Sequence, residues 1–381
     1  MSFLDYQADI TKKKEHPIFK GDPVIWYIVA ALSLMSILVV YSATQSLAFK
    51  YLEGNTEYYL FKHVRLVLLA LIVMWIAHRI DYRYYARLSL FALWVSVPLL
   101  IVAQLYGTTI NEASRWITIP FINQSFQPSD LAKLALISHL AAMLSKRQHR
   151  IEDVKEGLLP MLFWIGLVCG LIGLSNFSNA LILFMTSLLI MFIGRVPLRY
   201  FFVILLMGAV ALFVALSFGE RAATVKSRIE SYLDKENIPF QAEQSYIAIA
   251  TGGLTGKGPG NSTQRNILPN PFSDFIFAII VEEYGLIGGA FVVFLYLGLL
   301  YRGMMILSRS HRAFGGLLAA GLSFSLVVQA MANMAVAVGL VPITGLPLPL
   351  VSMGGTSLLF TGLAIGIILS VSRGDIVEQS N

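Results

Sequence analysis

Asp274 ends a long polar, glycine-rich stretch that begins near Gln244, and a strongly apolar run through Gly289 follows it at once. An acidic residue at that junction is the first candidate for chemistry in this chain. It also stands, with Ser273, where a helix N-cap is expected, and capping alone accounts for the residue type. Glu282 and Glu283 lie about two turns further on, and carboxylates that deep in an apolar helix are costly unless they face a cavity or find partners. At 100° per residue Glu282 falls within about 80° of the Asp274 face and Glu283 falls opposite it. One glutamate is therefore expected to share a cavity with Asp274 and the other to pair structurally.

Three further polar groups accompany this junction. Glycines from Gly252 to Gly260 surround Lys257, so backbone amides and one ammonium can approach phosphate oxygens. The spacing rejects a Walker A loop, because Thr251 stands where the first glycine belongs and Gly258 where the hydroxyl belongs. Upstream, Pro128 and Ser129 read as a helix start that places Asp130 and Lys133 one turn apart, either as an ion pair or as substrate contacts. Downstream, Pro342, Pro347 and Pro349 break an apolar run that ends in Ser352-Met-Gly-Gly-Thr-Ser357. Backbone freed there is either a tight helix connection or the lining of a wet cavity, since lipid cannot satisfy it.

The elements that must position these groups are membrane helices. Of 381 residues 56% are hydrophobic and only 13% charged, with a mean hydropathy of +0.71. That composition excludes an ordinary soluble protein. The expected fold is all-α and polytopic, with spans at about 24–44, 60–77, 88–106, 130–144, 158–175, 179–194, 199–217, 275–301, 313–341 and 350–371. The single cysteine, Cys169, allows neither an intramolecular disulfide nor a cysteine-built metal site. Alternate connections carry the cations: Arg79, Arg83 and Arg87, then Lys146, Arg147, Arg150 and Lys155, then Arg195 and Arg199, then Arg302, Arg309 and Arg312. Positive residues favour the cytoplasmic side, so residues 1–23 and the tail 373–381 are expected inside, flanking one transmembrane domain over 24–372. The long loop 218–273, between spans 7 and 8, and Asp274 are then expected outside. Topology thus explains the net charge of +6 without a nucleic-acid partner.

The run GGLTGKGPGNSTQ followed by SDFIFAIIVEEYG resembles the signature of the SEDS family, the FtsW and RodA proteins of bacterial cell-wall synthesis. Two more ordered elements carry the resemblance. Asn333, Gly339, Pro342, Gly345 and Leu350 to Ser357 match its carboxy-terminal pattern, and Ser114-Arg-Trp-Ile117 with Gln127-Pro-Ser-Asp130 and Lys133 match its Arg-Trp and Gln-Pro-Ser-Glu elements. The likeness covers nearly the whole chain, and Gly258 to Asn266 resembles the FtsW-type branch more than the RodA-type. Departures are Met353 for the usual Tyr, Asp130 for Glu, Phe272 for His, and Asn176 where the family has Asp.

The resemblance implies a glycosyltransferase of the inner membrane, at the division septum, that polymerises lipid II onto a lipid-linked glycan strand. Asp274 would be the general base, with Lys133, Arg115, Lys257 and Arg228 stabilising the pyrophosphate leaving group. Asp130, Gln244, Glu282 and Ser352 complete the expected substrate contacts. A divalent cation, Mg²⁺ or Mn²⁺, at Asp274 is compatible with pyrophosphate chemistry, and no other cofactor is implied. The implied partners are a class B penicillin-binding transpeptidase and other division proteins. An elongation-type polymerase, a lipid II flippase and a non-catalytic division scaffold are the competing readings, since broken helices and buried charges also occur in transporters. No inverted repeat is evident in the sequence.

Overall fold

The computed structural model describes residues 20–380, apart from 52–53, 111–112, 120–123, 148–152, 219–221 and 235–237. Asp22 opens the first helix, α1 (Pro23–Ala43), by accepting from the Val24 amide at 2.9 Å, with Pro23 pre-set in the first turn. A short α2 (Gln45–Tyr51) follows, then α3 (Thr56–Arg79), capped by Asn55, and α4 (Tyr82–Tyr106), capped by Asp81. The chain continues through α5 (Pro128–Lys146), α6 (Leu159–Ser175), α7 (Phe177–Ile193) and α8 (Leu198–Phe218). Two helices precede Asp274, α9 (Ala222–Leu233) and α10 (Phe240–Gly252). The last three are α11 (Ile276–Arg309), α12 (Ala313–Ala337) and α13 (Gly355–Ser380).

A helix lies in every stretch expected to span, and among the described residues seven are long and apolar enough to cross a membrane: α1, α3, α4, α6 with the π-helical turn before it, α11, α12 and α13. α12 is the axis of the bundle. Its apolar window is 83% buried against 28% for α3 and α4, whose Leu, Phe and Trp side chains face outward as lipid requires. Small residues let the helices approach: Gly362 and Gly366 of α13 lie against the Ala70 and Met74 backbone of α3, where a Cβ on either would meet a carbonyl oxygen at 2.4 Å.

The structure departs from the sequence expectation in three places. Between α4 and α5 the chain forms a three-stranded antiparallel sheet, β1 (Thr108–Ile110), β2 (Ala113–Ile119) and β3 (Gln124–Phe126), with Thr108 opposite Trp116 and Ile117 opposite Phe126. The apolar run after Asp274 is not one helix. Gly285, at φ +71° and ψ −174°, breaks α11 into a short buried piece, 276–284, and a long piece, 286–309, that can cross a membrane by itself. Finally, the expected ninth span stops at Ala337, and residues 338–354 run as irregular backbone back into the bundle.

Candidate active site

That irregular segment forms the floor of a cavity of about 470 Å³, and its carbonyls are satisfied from three helices. Asn333 Nδ2 donates to the Leu346 carbonyl at 2.7 Å and Gln329 Nε2 to that of Pro347 at 3.0 Å, both from α12. The Tyr296 hydroxyl of α11 donates to the Pro349 carbonyl, and Ser36 Oγ of α1 donates to that of Val351 at 2.8 Å. The prolines therefore release backbone that is both buried in protein and exposed to a polar cavity, rather than making a tight helix connection.

The same floor holds Asp274. Ser352 Oγ donates to the Ser273 carbonyl at 2.7 Å and Asn333 Nδ2 to the Asp274 carbonyl at 2.8 Å, so both backbone oxygens at the junction are pinned from the carboxy-terminal third of the chain. Ser273 Oγ donates to Asp274 Oδ1 at 2.9 Å, and the half-exposed carboxyl group reaches the cavity. The capping expectation is corrected: α11 begins at Ile276 and its N-cap is Phe275, so Asp274 stands one residue before the cap. Ser352 lies behind the wall, as a support of Asp274, not among the groups that face the cavity.

α5 supplies the opposite wall. Asp130 and Lys133 meet at 2.9 Å, with side chains only 6% and 11% exposed, and both line the cavity. Lys133 Nζ also donates to Gln329 Oε1 at 3.3 Å, which links the ion pair through Gln329 to the floor. Asp130 Oδ2 is buried with no hydrogen-bond partner among the described residues. Two more cations line the space, Arg228 from α9 and Lys62 from α3. Trp116, Ser125, Asn270 and the buried pair Asn176 and Asn179 complete its polar side, and Asn176 also caps α7 by accepting from the Asn179 amide at 3.3 Å. Sequence reasoning passed over Lys62 and Gln329, and named Asn333 only as part of the carboxy-terminal pattern. Each is a polar residue inside an apolar run, which is itself a functional signal.

Several expected contacts lie elsewhere. Lys257 Nζ pairs with Glu282 Oε1 at 2.6 Å, and Glu282, with no exposed side-chain surface, also accepts from Ser262, from the Thr263 hydroxyl at 2.8 Å and from the Thr263 amide at 3.0 Å. Glu283 accepts from Ser42 of α1 and lies 3.8 Å from Arg265. Among the described residues neither glutamate lines the cavity, contrary to the helical-wheel expectation. Asp274 stands before the N-cap, so the wheel does not relate it to the glutamates, and the break at Gly285 lets the backbone of the 253–258 loop pair with the short helix: the Lys257 amide donates to the Glu282 carbonyl at 2.9 Å and the Leu286 amide to that of Gly253 at 2.9 Å. A Cβ on Gly285 would sit 2.1 Å from the Leu254 carbonyl oxygen, so this contact requires glycine. Gln244, on α10, is likewise not among the lining residues. Arg115 belongs to β2, and its side chain lies outside the described residues.

Lys257→Met is therefore expected to act on stability. Removing the ammonium leaves Glu282 buried with its hydroxyl and amide donors only, a loss of roughly 1–3 kcal/mol read from thermal unfolding in detergent. A raised KM for the lipid substrate with unchanged unfolding would instead return Lys257 to the substrate. No three His, Cys, Asp or Glu side chains converge among the described residues. The donors around Asp274 thus do not fit a divalent-cation site built by the protein itself.

A bundle of lipid-facing helices around a central helix, with a broken segment and a cavity lined by cations and carboxylates, defines a polytopic membrane protein. Residues 22–375 match the FtsW, RodA and SpoVE family of cell cycle proteins, and the chain belongs to that family. The probable peptidoglycan glycosyltransferase FtsW of Geobacter sulfurreducens is 33% identical over 363 residues, covering 93% of this chain and 96% of that one. Its counterpart in Coxiella burnetii is 33% identical over 357 residues, with 91% and 95% covered. Among solved structures, a chain from work on the structural coordination of polymerization and crosslinking by a peptidoglycan synthase complex superposes with a TM-score of 0.74 at 26% identity, covering 93% of this chain and 98% of that one. The rod shape determining protein RodA of Thermus thermophilus superposes with a TM-score of 0.68 at 26% identity, covering 93% and 97%.

Proposed function

We propose that the chain is a peptidoglycan glycosyltransferase that polymerises lipid II into glycan strands for the division septum. One observation carries the mechanism: Asp274, the Asp130–Lys133 pair, Arg228 and Lys62, from four distant parts of the chain, line a single cavity. Asp274 takes the proton from the acceptor sugar hydroxyl as that oxygen attacks the anomeric carbon of the donor. The bond from that carbon to the pyrophosphate oxygen breaks, and the pyrophosphate leaves with the electron pair. Lys133, Arg228 and Lys62 offset the charge that develops on it.

All ten long helices are proposed to cross the membrane, with both termini cytoplasmic, as the loop cations require. The cavity then opens outward, where lipid II is consumed. A class B penicillin-binding transpeptidase is the proposed partner, consistent with the peptidoglycan synthase complex among the structural relatives. The test is polymerisation of lipid II by the purified protein with and without that transpeptidase, beside a liposome assay of lipid II flipping. Glycan strands from the complex are expected. Flipping without polymer would replace the polymerase reading with a transporter.

A further inference from the structure

A second cavity, of about 460 Å³, lies beside the first, between α9 and α10 on one side and residues 336–343 on the other. The two share a wall. Gly339 and Val341 to Ile343 border the second and Thr344 to Pro347 the first, so one stretch of chain passes from one cavity to the other. Arg228 borders both, and its Nη1 donates to the Ile343 carbonyl at 3.2 Å.

This wall is held firmly. The Tyr232 hydroxyl donates to the Leu340 carbonyl at 2.9 Å, and Ser245 Oγ donates to that of Ala337 at 2.8 Å. The Tyr246 ring rests on the backbone at Gly339, where a Cβ would stand 2.6 Å from the phenol oxygen. Burial, with the Tyr232 phenol nearby, raises Tyr246 above the ordinary tyrosine range, so it stays a neutral donor.

The two cavities differ in chemistry. The first gathers three cations. The second presents tyrosine rings, the hydroxyls of Ser227 and Ser231 and the Gln241 amide, and among the described residues its charged groups are Arg228 and Asp234. Apolar faces with a few placed neutral polar groups suit sugar rings and their hydroxyls. Each cavity has the volume of a single small-ligand site, near the lower half of the usual range of roughly 300–1,000 Å³. Both lipid-linked reactants carry a pyrophosphate, and a cavity whose Arg228 is matched by the Asp234 carboxylate suits neither pyrophosphate end. It suits the interior sugars of a strand already formed.

We infer that the cavity between α9, α10 and residues 336–343 binds sugar units of the growing glycan strand next to those reacting at Asp274, with Arg228 at the junction. This rests on the polymerase reading. Occupancy there becomes useful only once a strand exists, so the cavity governs how long the enzyme keeps a strand rather than whether two lipid II molecules join.

The experiment uses the complex with the transpeptidase and lipid II, comparing wild type with Ser231→Trp, which fills the cavity, and Gln241→Ala, which removes an amide and perturbs packing least. First-linkage product and long strands are resolved on gels. The ratio of extended strand to first-linkage product is expected to fall roughly three- to tenfold in both variants, the range of one or two lost hydrogen bonds. Unchanged ratios in both would overturn the inference. So would equal losses of first linkage and extension, which mark a folding defect or a shared catalytic role. Should Ser231→Trp fail to associate with the partner, Gln241→Ala decides alone. A wild-type complex that forms no linkage at all would overturn the polymerase reading and this inference together.

Discussion

Asp274→Asn is expected to slow polymerisation roughly 10²–10⁴-fold while leaving the fold intact, the loss that follows when a positioned base is removed. The substitution is nearly isosteric. An asparagine carbonyl can still accept from Ser273 Oγ, and the bonds to the Ser273 and Asp274 backbone carbonyls from Ser352 and Asn333 do not involve the side chain. Only the capacity to take a proton disappears. The measurement is single-turnover formation of the first glycosidic bond by the purified complex, with lipid II binding followed separately. A loss in kcat with KM and thermal unfolding near wild type is the expected pattern. Wild-type turnover would remove Asp274 from the mechanism and leave a scaffold role, which the same variant tests in cells by supporting or failing to support division.

The second large effect is at Lys133. Replacing it with Met strands the Asp130 carboxylate, 5% exposed and already holding one oxygen without a partner, in the wall of the cavity. Breaking a buried pair on one side costs about 3–5 kcal/mol. Lys133→Met should therefore lose both stability and activity, which by itself does not separate support from catalysis. The double variant Asp130→Asn with Lys133→Met does separate them. It removes both charges, so thermal stability recovers most of the loss, whereas activity stays low because the pyrophosphate still lacks its cation. Activity that recovers together with stability would reduce the pair to a structural ion pair.

These two predictions rest on features that differ in how far the chain announces them. The Pro128 start and the one-turn spacing of Asp130 and Lys133 are local, and local geometry carried straight through to a pair at 2.9 Å. The broken backbone around Pro347 and Pro349 was legible too, but the sequence left a tight connection and a wet cavity both open, and the structure decided for the cavity. Lys257 and Glu282 were not legible. A helical wheel assumes that both residues share one helix, but Asp274 stands outside α11, so the wheel does not relate it to Glu282, which pairs instead with Lys257 in a loop 25 residues earlier in the chain. Lys62 and Gln329 were visible only as isolated polar residues in apolar runs, with nothing nearby to say what they face.

Composition and spacing alone determined that this is a many-helix membrane protein, where its helices run, and that Asp274 and the Asp130–Lys133 pair are its chemical candidates. Membrane insertion and helix formation depend on neighbours within about one span, so the sequence contains that information directly. Which polar groups share a cavity depends on contacts between segments up to hundreds of residues apart. Only the tertiary structure decided that Lys62 and Arg228 join Asp274, that Lys257 and Glu282 instead lock the loop, and that a second, less cationic cavity lies across the same wall.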